Sequence, residues 1–233
     1  MTDCIEFQDL GSMDYKIAWE YQEEIFKKRV NQKLINRESS EASRVFLKDK
    51  LLFVEHPHVY TLGKSGNRDN LLIQDDFLKQ IKASYYHIDR GGDITYHGPG
   101  QIVAYPVFDL EHFGIYLKQY VFGLEECIIQ TLSEFNITAQ RMDGATGVWL
   151  DSGTADARKI CAIGVKASRY ITMHGLAFNV NTKLDYFNYI NPCGFVDKGV
   201  TSLQKELGKE QDIQFVKTIL KNKIISYFHA LKD

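Results

Sequence analysis

The chain has 233 residues, 44% of them hydrophobic and 25% charged, with a formal net charge of −2. That is the balance of an ordinary globular chain, long enough to build a core without metal or disulfide staples. It supplies no global field for nucleic acid or anionic membrane, and no apolar run approaches the ~18 residues of a membrane span. The first six residues carry acids and no basic, then apolar, signal-peptide pattern. Cys4, Cys127, Cys161 and Cys193 are widely spread with no CxxC pair, and read as free thiols of a reducing cytoplasm.

In chain order, residues 13–36 are charged, lack Gly and Pro, and place Ile17, Tyr21, Ile25 and Leu34 at helical spacing, which predicts a helix. Residues 51–54 predict a short buried strand and residues 84–88 another. Residues 93–110 read as extended, interrupted at Gly98-Pro99-Gly100, with a strand over 102–107. A long amphipathic helix is expected over 115–136 and a short strand over 147–150. Residues 159–167 and 171–180 predict a hairpin about Ser168-Arg169-Tyr170. Residues 213–231 close the chain as an amphipathic helix. No linker or repeat divides it, so residues 1–233 are expected to form one α+β domain, a mixed β-sheet flanked by helices.

The densest segment is Arg90-Gly91-Gly92-Asp93-Ile94-Thr95-Tyr96-His97-Gly98-Pro99-Gly100-Gln101. Its four glycines let backbone approach a ligand or adopt positive φ. Thr95, His97 and Gln101 bring hydrogen-bonding groups, and Arg90 a fixed cation. A plain turn needs one or two such residues, so this density predicts a ligand site. The glycine spacing is not that of a dinucleotide fingerprint, and a strand follows rather than a helix. Gly63-Lys64-Ser65 lacks the phosphate-loop glycine five residues earlier, where His58 stands. His56-Pro57-His58 has no partner motif at zinc-ligand spacing and is read as a loop after a buried strand.

Lys159 opens an apolar strand, where a lysine usually sits at the rim, and His174, before Gly175, reads on its own as a satisfied core residue. Cys127 and Cys161 read as core. Cys193 stands in Asn191-Pro192-Cys193-Gly194, a turn-forming tetrapeptide that can present a thiol to a substrate. A nucleophilic thiol also needs a nearby cation or base, donors for an oxyanion and room for an acyl group.

Four blocks taken together settle on one resemblance. Residues 90–101, Lys159-Ile160-Cys161-Ala162-Ile163-Gly164, His174-Gly175-Leu176-Ala177-Phe178-Asn179-Val180 and Asn191-Pro192-Cys193-Gly194 resemble the lipoyl(octanoyl) transferases of the biotin/lipoate protein ligase superfamily. The likeness runs from about residue 55 to residue 203, and the terminal helices add little to it.

The resemblance implies the ligase-like catalytic-domain fold and a reaction without ATP, metal or other cofactor. An octanoyl (or lipoyl) group passes from acyl carrier protein to a cysteine, as a thioacyl-enzyme, and then to a specific lysine of a lipoyl domain. Those domains belong to 2-oxoacid dehydrogenase complexes or to the glycine cleavage H protein. The family's nucleophile falls on Cys193 and its catalytic lysine on Lys159, which lowers the thiol's pKa and relays protons. The substrate-binding stretches fall on Arg90, Gly91, Gly92, Asp93, Ile94, Thr95, Tyr96 and His97, on Ala162, Ile163 and Gly164, and on Gly175, Leu176 and Ala177. A cytoplasmic monomer is implied, with no nucleic-acid or membrane partner.

Several roles stay open at this level. The oxyanion donors are backbone N–H groups near Gly92 or near Gly194. His97 and His174 are each candidates to position the acyl carbonyl or close the pocket. Cys161, Ile163, Leu176 and Phe178 are expected to line the acyl tunnel, and Arg90, Lys166, Arg169 and Lys198 to give a basic rim for an acidic carrier protein. An ATP-dependent ligase and a non-catalytic acyl-binding module are the competing readings.

Overall fold

A computed structural model describes residues 5–191 and 199–232. The expected helices and strands form, with ends shifted by a few residues: helix α1 spans Tyr15–Glu38, α3 spans Leu117–Ser133 and α5 spans Ile213–His229. Asp14 starts α1 by accepting a hydrogen bond from the Lys16 backbone N–H at 2.8 Å, the usual service of an aspartate at a helix N-terminus. Two short helices, α2 (Asp75–Gln80) and α4 (Leu203–Leu207), complete the set.

The main sheet joins β1 (Ile5–Ser12), β2 (Asp49–Glu55), β6 (Gln101–Val107), β9 (Ile171–Asn179), β8 (Arg158–Ser168) and β10 (Gly199–Val200) in that order, with β7 (Val148–Leu150) also paired to β8. The β1–β2 and β8–β10 pairs are parallel and the others antiparallel, which makes the sheet mixed. A second sheet has β3 (Val59–Leu62) between β4 (Ser84–His87) and β5 (Ile94–His97).

One face of the main sheet packs on α3 and α5 through Phe53, Ile102, Phe178, Leu124, Ile128, Leu220 and Phe228. The other face packs on α1, through Ala18 against Leu52, Val54, Val103 and Tyr105, and through Phe26 and Val30 against Val107, Ile171 and Met173. A sheet covered by helices on both faces is the α+β layering expected from the sequence. No helix among the described residues is long and apolar enough to cross a membrane.

Strands β1, β3 and β10 were not foreseen. In β1 only Ile5 is buried, so no apolar alternation announces it. All four residues of β3 are buried, which removes the two-residue period. The stretch after residue 55 is therefore not simply a loop: His56 and His58 lead directly into β3, the middle strand of the second sheet.

Pro106 sits inside β6, between two neighbouring strands. It has no N–H to give, and the β6–β9 ladder stops at the Ala104–Leu176 pair. Pairing reappears at the Asp109–Ile171 bridge in the same register, which sets Pro106 opposite His174. His174 there adopts φ +61°, a left-handed conformation that costs a non-glycine residue about 1–3 kcal/mol. Its backbone N–H turns away to the Gln22 side-chain oxygen at 3.2 Å.

Candidate active site

A cavity of about 440 Å³ is lined by strands of both sheets. Its wall includes thirteen of the fourteen expected substrate-binding residues, all but Tyr96, together with Lys159 and His174. Tyr96 lies behind the wall. It is buried, its hydroxyl meets His58 Nδ1 at 2.7 Å, and its ring stacks on Tyr186. Ile163 and Leu176 line the cavity as expected of a tunnel, whereas Cys161 and Phe178, paired across β8 and β9, belong to the core beneath α3 and α5. Cys193 lies outside the described residues, and so do Pro192, Gly194 and Lys198.

The glycines let the second sheet come close to the first. Gly91 N–H donates to the Val165 carbonyl at 2.9 Å, fastening the 90–93 loop to β8. A Cβ on Gly164 would meet Arg90 Cδ and the Gly91 carbonyl, each at 3.0 Å. A Cβ on Gly175, its cross-strand partner, would run into the Ala104 carbonyl and Pro106. Asp93 is structural: its two carboxylate oxygens accept from its neighbour Ile94 N–H at 2.7 Å and from Asn70 Nδ2 at 2.5 Å.

Lys159 stands at one end. Its strand is flanked there by β7 and by β10, with Trp149 and Val200 as register partners. Its ammonium lies 4.6 Å from the centre of the Trp149 ring, a cation–π contact. Trp149 is fixed in turn by Nε1 donating to the Ala145 carbonyl at 2.9 Å, and β7 by Gly147 N–H donating to buried Glu125 at 3.0 Å. Sequence reasoning did not single out Trp149 or Glu125; the only signal was an aromatic in a short strand.

Beside the cavity runs a chain of hydrogen bonds whose directions are set by backbone carbonyls. Gln101 Nε2 donates to the Tyr96 carbonyl at 3.2 Å and to Asn179 Oδ1 at 2.9 Å, and Asn179 Nδ2 donates to the Thr201 carbonyl at 3.0 Å. Gln101 Oε1 therefore accepts from His97 Nδ1 at 2.9 Å. His97 Nε2 is left to accept from the Thr61 hydroxyl at 3.4 Å, which itself accepts from Arg90 at 3.0 Å. Both His97 nitrogens are occupied. Burial, with the neighbouring His56 adding to it, pushes its pKa down to about 3, so the ring is neutral. His56 is likewise neutral, lowered by burial to about 4, with Nδ1 on the Met13 carbonyl and Nε2 on the Tyr105 hydroxyl, each at 2.8 Å.

One expected rim cation is placed differently. Arg90 is buried, donating to the Thr61 carbonyl at 2.6 Å, and it orders the wall. Lys166 pairs with Asp89. Arg169 is exposed in the hairpin turn.

At the other end the wall is His174, whose Nε2 donates at 3.1 Å to Asp89 Oδ1 behind it, while Asp89 Oδ2 takes Lys166. These contacts, the histidine's first, hold the Asp89 carboxyl well below the usual carboxylate range. Burial lowers the His174 pKa in spite of Asp89, so the ring is neutral. A carboxylate only accepts, hence Nε2 carries the proton and Nδ1 a lone pair. That Nδ1 is buried and finds no partner among the described residues. The expectation of a satisfied core histidine thus holds for one nitrogen and not the other.

Comparison with known proteins places this geometry in a family. The family model for the lipoyl protein ligase A/B catalytic domain matches residues 14–225. An octanoyltransferase of Bacteroides fragilis strain YCH46 is 54% identical over 218 residues, covering 94% of this chain and 95% of the relative. One from Christiangramia forsetii is 53% identical over 232 residues, covering 99% and 97%. Among solved structures, a bipartite lipoate protein ligase of Thermoplasma acidophilum superposes with a TM-score of 0.68 at 15% identity, over 96% of this chain and 83% of that one, a likeness of fold. The chain belongs to the lipoyl protein ligase A/B catalytic-domain family and, within it, to the octanoyltransferases, which are acyltransferases.

Proposed function

We propose that octanoyl transfer by this chain runs through a thioacyl-enzyme on Cys193, assisted by Lys159. The carrying observation is that Lys159 reaches the cavity wall beside Val200, which also lines it. Gly199 N–H is anchored on the Ala157 carbonyl at 3.0 Å. Cys193 precedes Gly199 by six positions, so the chain permits a separation of at most about 20 Å from that anchor.

The chemistry suits such a pair. A free thiol with pKa ~8.5 is only about 3% thiolate at pH 7, and lowering the pKa to ~7 raises that roughly 15-fold. Lys159 supplies the favouring charge, returns a proton to the departing carrier thiol, and takes one from the attacking amine. Thioester to thioester is close to isoenergetic and thioester to amide runs downhill, so no ATP is consumed. Six buried methylenes of an octanoyl chain contribute at most about 5 kcal/mol of binding. The donor in this reading is octanoyl-acyl carrier protein. The acceptor is a lipoyl domain of a 2-oxoacid dehydrogenase complex or the glycine cleavage H protein. The enzyme works as a cytoplasmic monomer, on a single domain spanning residues 1–233.

Incubation with octanoyl-carrier protein, without ATP, is expected to add one octanoyl mass to the intact protein, on the peptide containing Cys193. Modification that demands ATP and survives Cys193→Ser would replace this reading with a ligase.

A further inference from the structure

We propose that Asn70 is a positioning residue for acyl transfer: its side chain fastens Asp93, in the cavity wall, to the backbone that holds Asn191, two positions before Cys193. The proposal rests on the reading that Cys193 is the nucleophile and Lys159 its partner.

The two ends of the stretch that carries Cys193 are held on different sheets. Downstream, Thr201 N–H donates to the Lys159 carbonyl of the main sheet at 3.0 Å. Upstream, residues 70–72 pair antiparallel with residues 189–191 about the Leu71–Ile190 bridge, beside the second sheet. Asn191 N–H donates to the Asn70 carbonyl at 2.8 Å, and Leu72 N–H to the Tyr189 carbonyl at 2.9 Å. Leu71 and Ile190 pack with Leu62, Ile94 and Tyr96 of that sheet. Chain connectivity keeps the Cα of Cys193 within about 7 Å of that of Asn191, against about 20 Å for Gly199. The Asn70 end is therefore the closer constraint on the thiol.

Asn70 joins that end to the cavity. Its Nδ2 donates to Asp93 Oδ2 at 2.5 Å. Asp93 lines the cavity and follows Gly91 by two residues, and Gly91 N–H is fastened to the Val165 carbonyl of β8, the strand of Lys159. Hydrogen bonds and chain thus run from β8 through Gly91, Asp93 and Asn70 to Asn191. A misplacement of about 1 Å between reacting groups costs on the order of 10²-fold, so one tie in this path has leverage on the rate. The position calls for an amide. Asp93 Oδ1 is taken by Ile94 N–H, and a carboxylate only accepts, so Asn70 must donate. Asn70→Asp sets two carboxylates against each other. The exchange Asn70→Asp/Asp93→Asn restores one donor and one acceptor at unchanged net charge.

The test uses the full chain and two readouts: single-turnover acylation by octanoyl-carrier protein, and the pH profile of Cys193 alkylation by iodoacetamide, followed by mass on its own peptide. Alkylation needs the thiolate, whose pKa rises as the thiol moves away from the Lys159 charge. Asn70→Ala is expected to lower saturated acylation about 5- to 20-fold, with KM within about twofold. It should also move the alkylation midpoint up by at least about half a pH unit, toward ~8.5. Asn70→Asp should cost about 100-fold, and the exchange should recover to within about threefold of the wild type, with its midpoint. Wild-type rate and midpoint in Asn70→Ala, even with a lower urea midpoint, overturn the role, and so does an exchange no better than Asn70→Asp. If Asn70→Asp does not fold, Asn70→Ala and the exchange, set against the wild type, decide. A midpoint raised in Asn70→Ala and restored by the exchange, in protein that forms no thioacyl-enzyme, keeps the tie and removes the proposed function. A thioacyl-enzyme formed equally fast in every variant, with the midpoint fixed, does the reverse.

Discussion

The two ends of the cavity are built on opposite plans. Around Lys159 the walls are aromatic and aliphatic, and the cation lies over the Trp149 ring beside Val200. Around His174 the wall is backed by polar groups, Asp89 bonding both its imidazole and Lys166. The difference teaches that burial of a titratable group is not by itself a sign of chemistry. His97 is buried, as His174 is, yet its nitrogens are spent on Gln101 and Thr61, and it acts by holding the wall in place. What separates a reacting end from a shaping end is which atoms remain available to a substrate.

The strongest attempt to break that contrast is removal of the reactive groups. Cys193→Ser is expected to abolish the thioacyl-enzyme and to lower transfer by at least about 10³-fold. Lys159→Ala is expected to cost about 10² to 10⁴-fold in single-turnover acylation and in amine transfer, measured separately over a pH range. A loss of only about tenfold that recovers fully at high pH would confine Lys159 to an electrostatic part. If His97→Gln cost as much as Lys159→Ala while the protein stayed folded, the division into two ends would be wrong.

Legibility in the sequence followed the same line. Blocks contiguous in the chain were readable: residues 90–97 and the β8–β9 hairpin do meet around one cavity, because cross-strand neighbours such as Gly164 and Gly175 are fixed by the hairpin register. Contacts between distant residues were not. The bond between Gln101 and Asn179 joins positions 78 apart, and no local pattern announces it. Arg90 was read as a rim cation because charge alone predicts solvent; Thr61, whose carbonyl draws it inward, stands in another element. Pro106 in an apolar strand was an overlooked local signal, since a central-strand proline marks an interrupted ladder, and His174 sits opposite that break.

A second test sharpens the contrast through stability. His97 and His56 are depressed in the folded chain to about 3 and about 4, below the ordinary 6.5. The unfolded chain therefore binds more protons between these values. Their stabilising contribution is complete above about pH 6.5 and is lost as pH falls through the range down to the folded pKa values, at up to ~1.4 kcal/mol per pH unit for each ring. Urea midpoints at pH 7.5, 5.5 and 4.5 should fall more steeply for the wild type than for His97→Gln, which starts less stable at pH 7.5. Parallel pH curves would show that His97 is not held neutral by the wall.

The smallest effect expected is at Trp149, where it tests whether the aromatic wall acts on the cation or merely fills space. A cation–π contact with a buried ring is worth about 0.5–2 kcal/mol, so Trp149→Leu should lower transfer by roughly 2- to 30-fold, with Trp149→Phe in between. A double-mutant cycle separates the two roles. If the ring works through the ammonium, Trp149→Leu costs nothing further once Lys159→Met is in place, and the coupling equals the single-mutant loss. If the ring only shapes the cavity, the two losses add. Additive losses would make the Lys159 end a matter of fit.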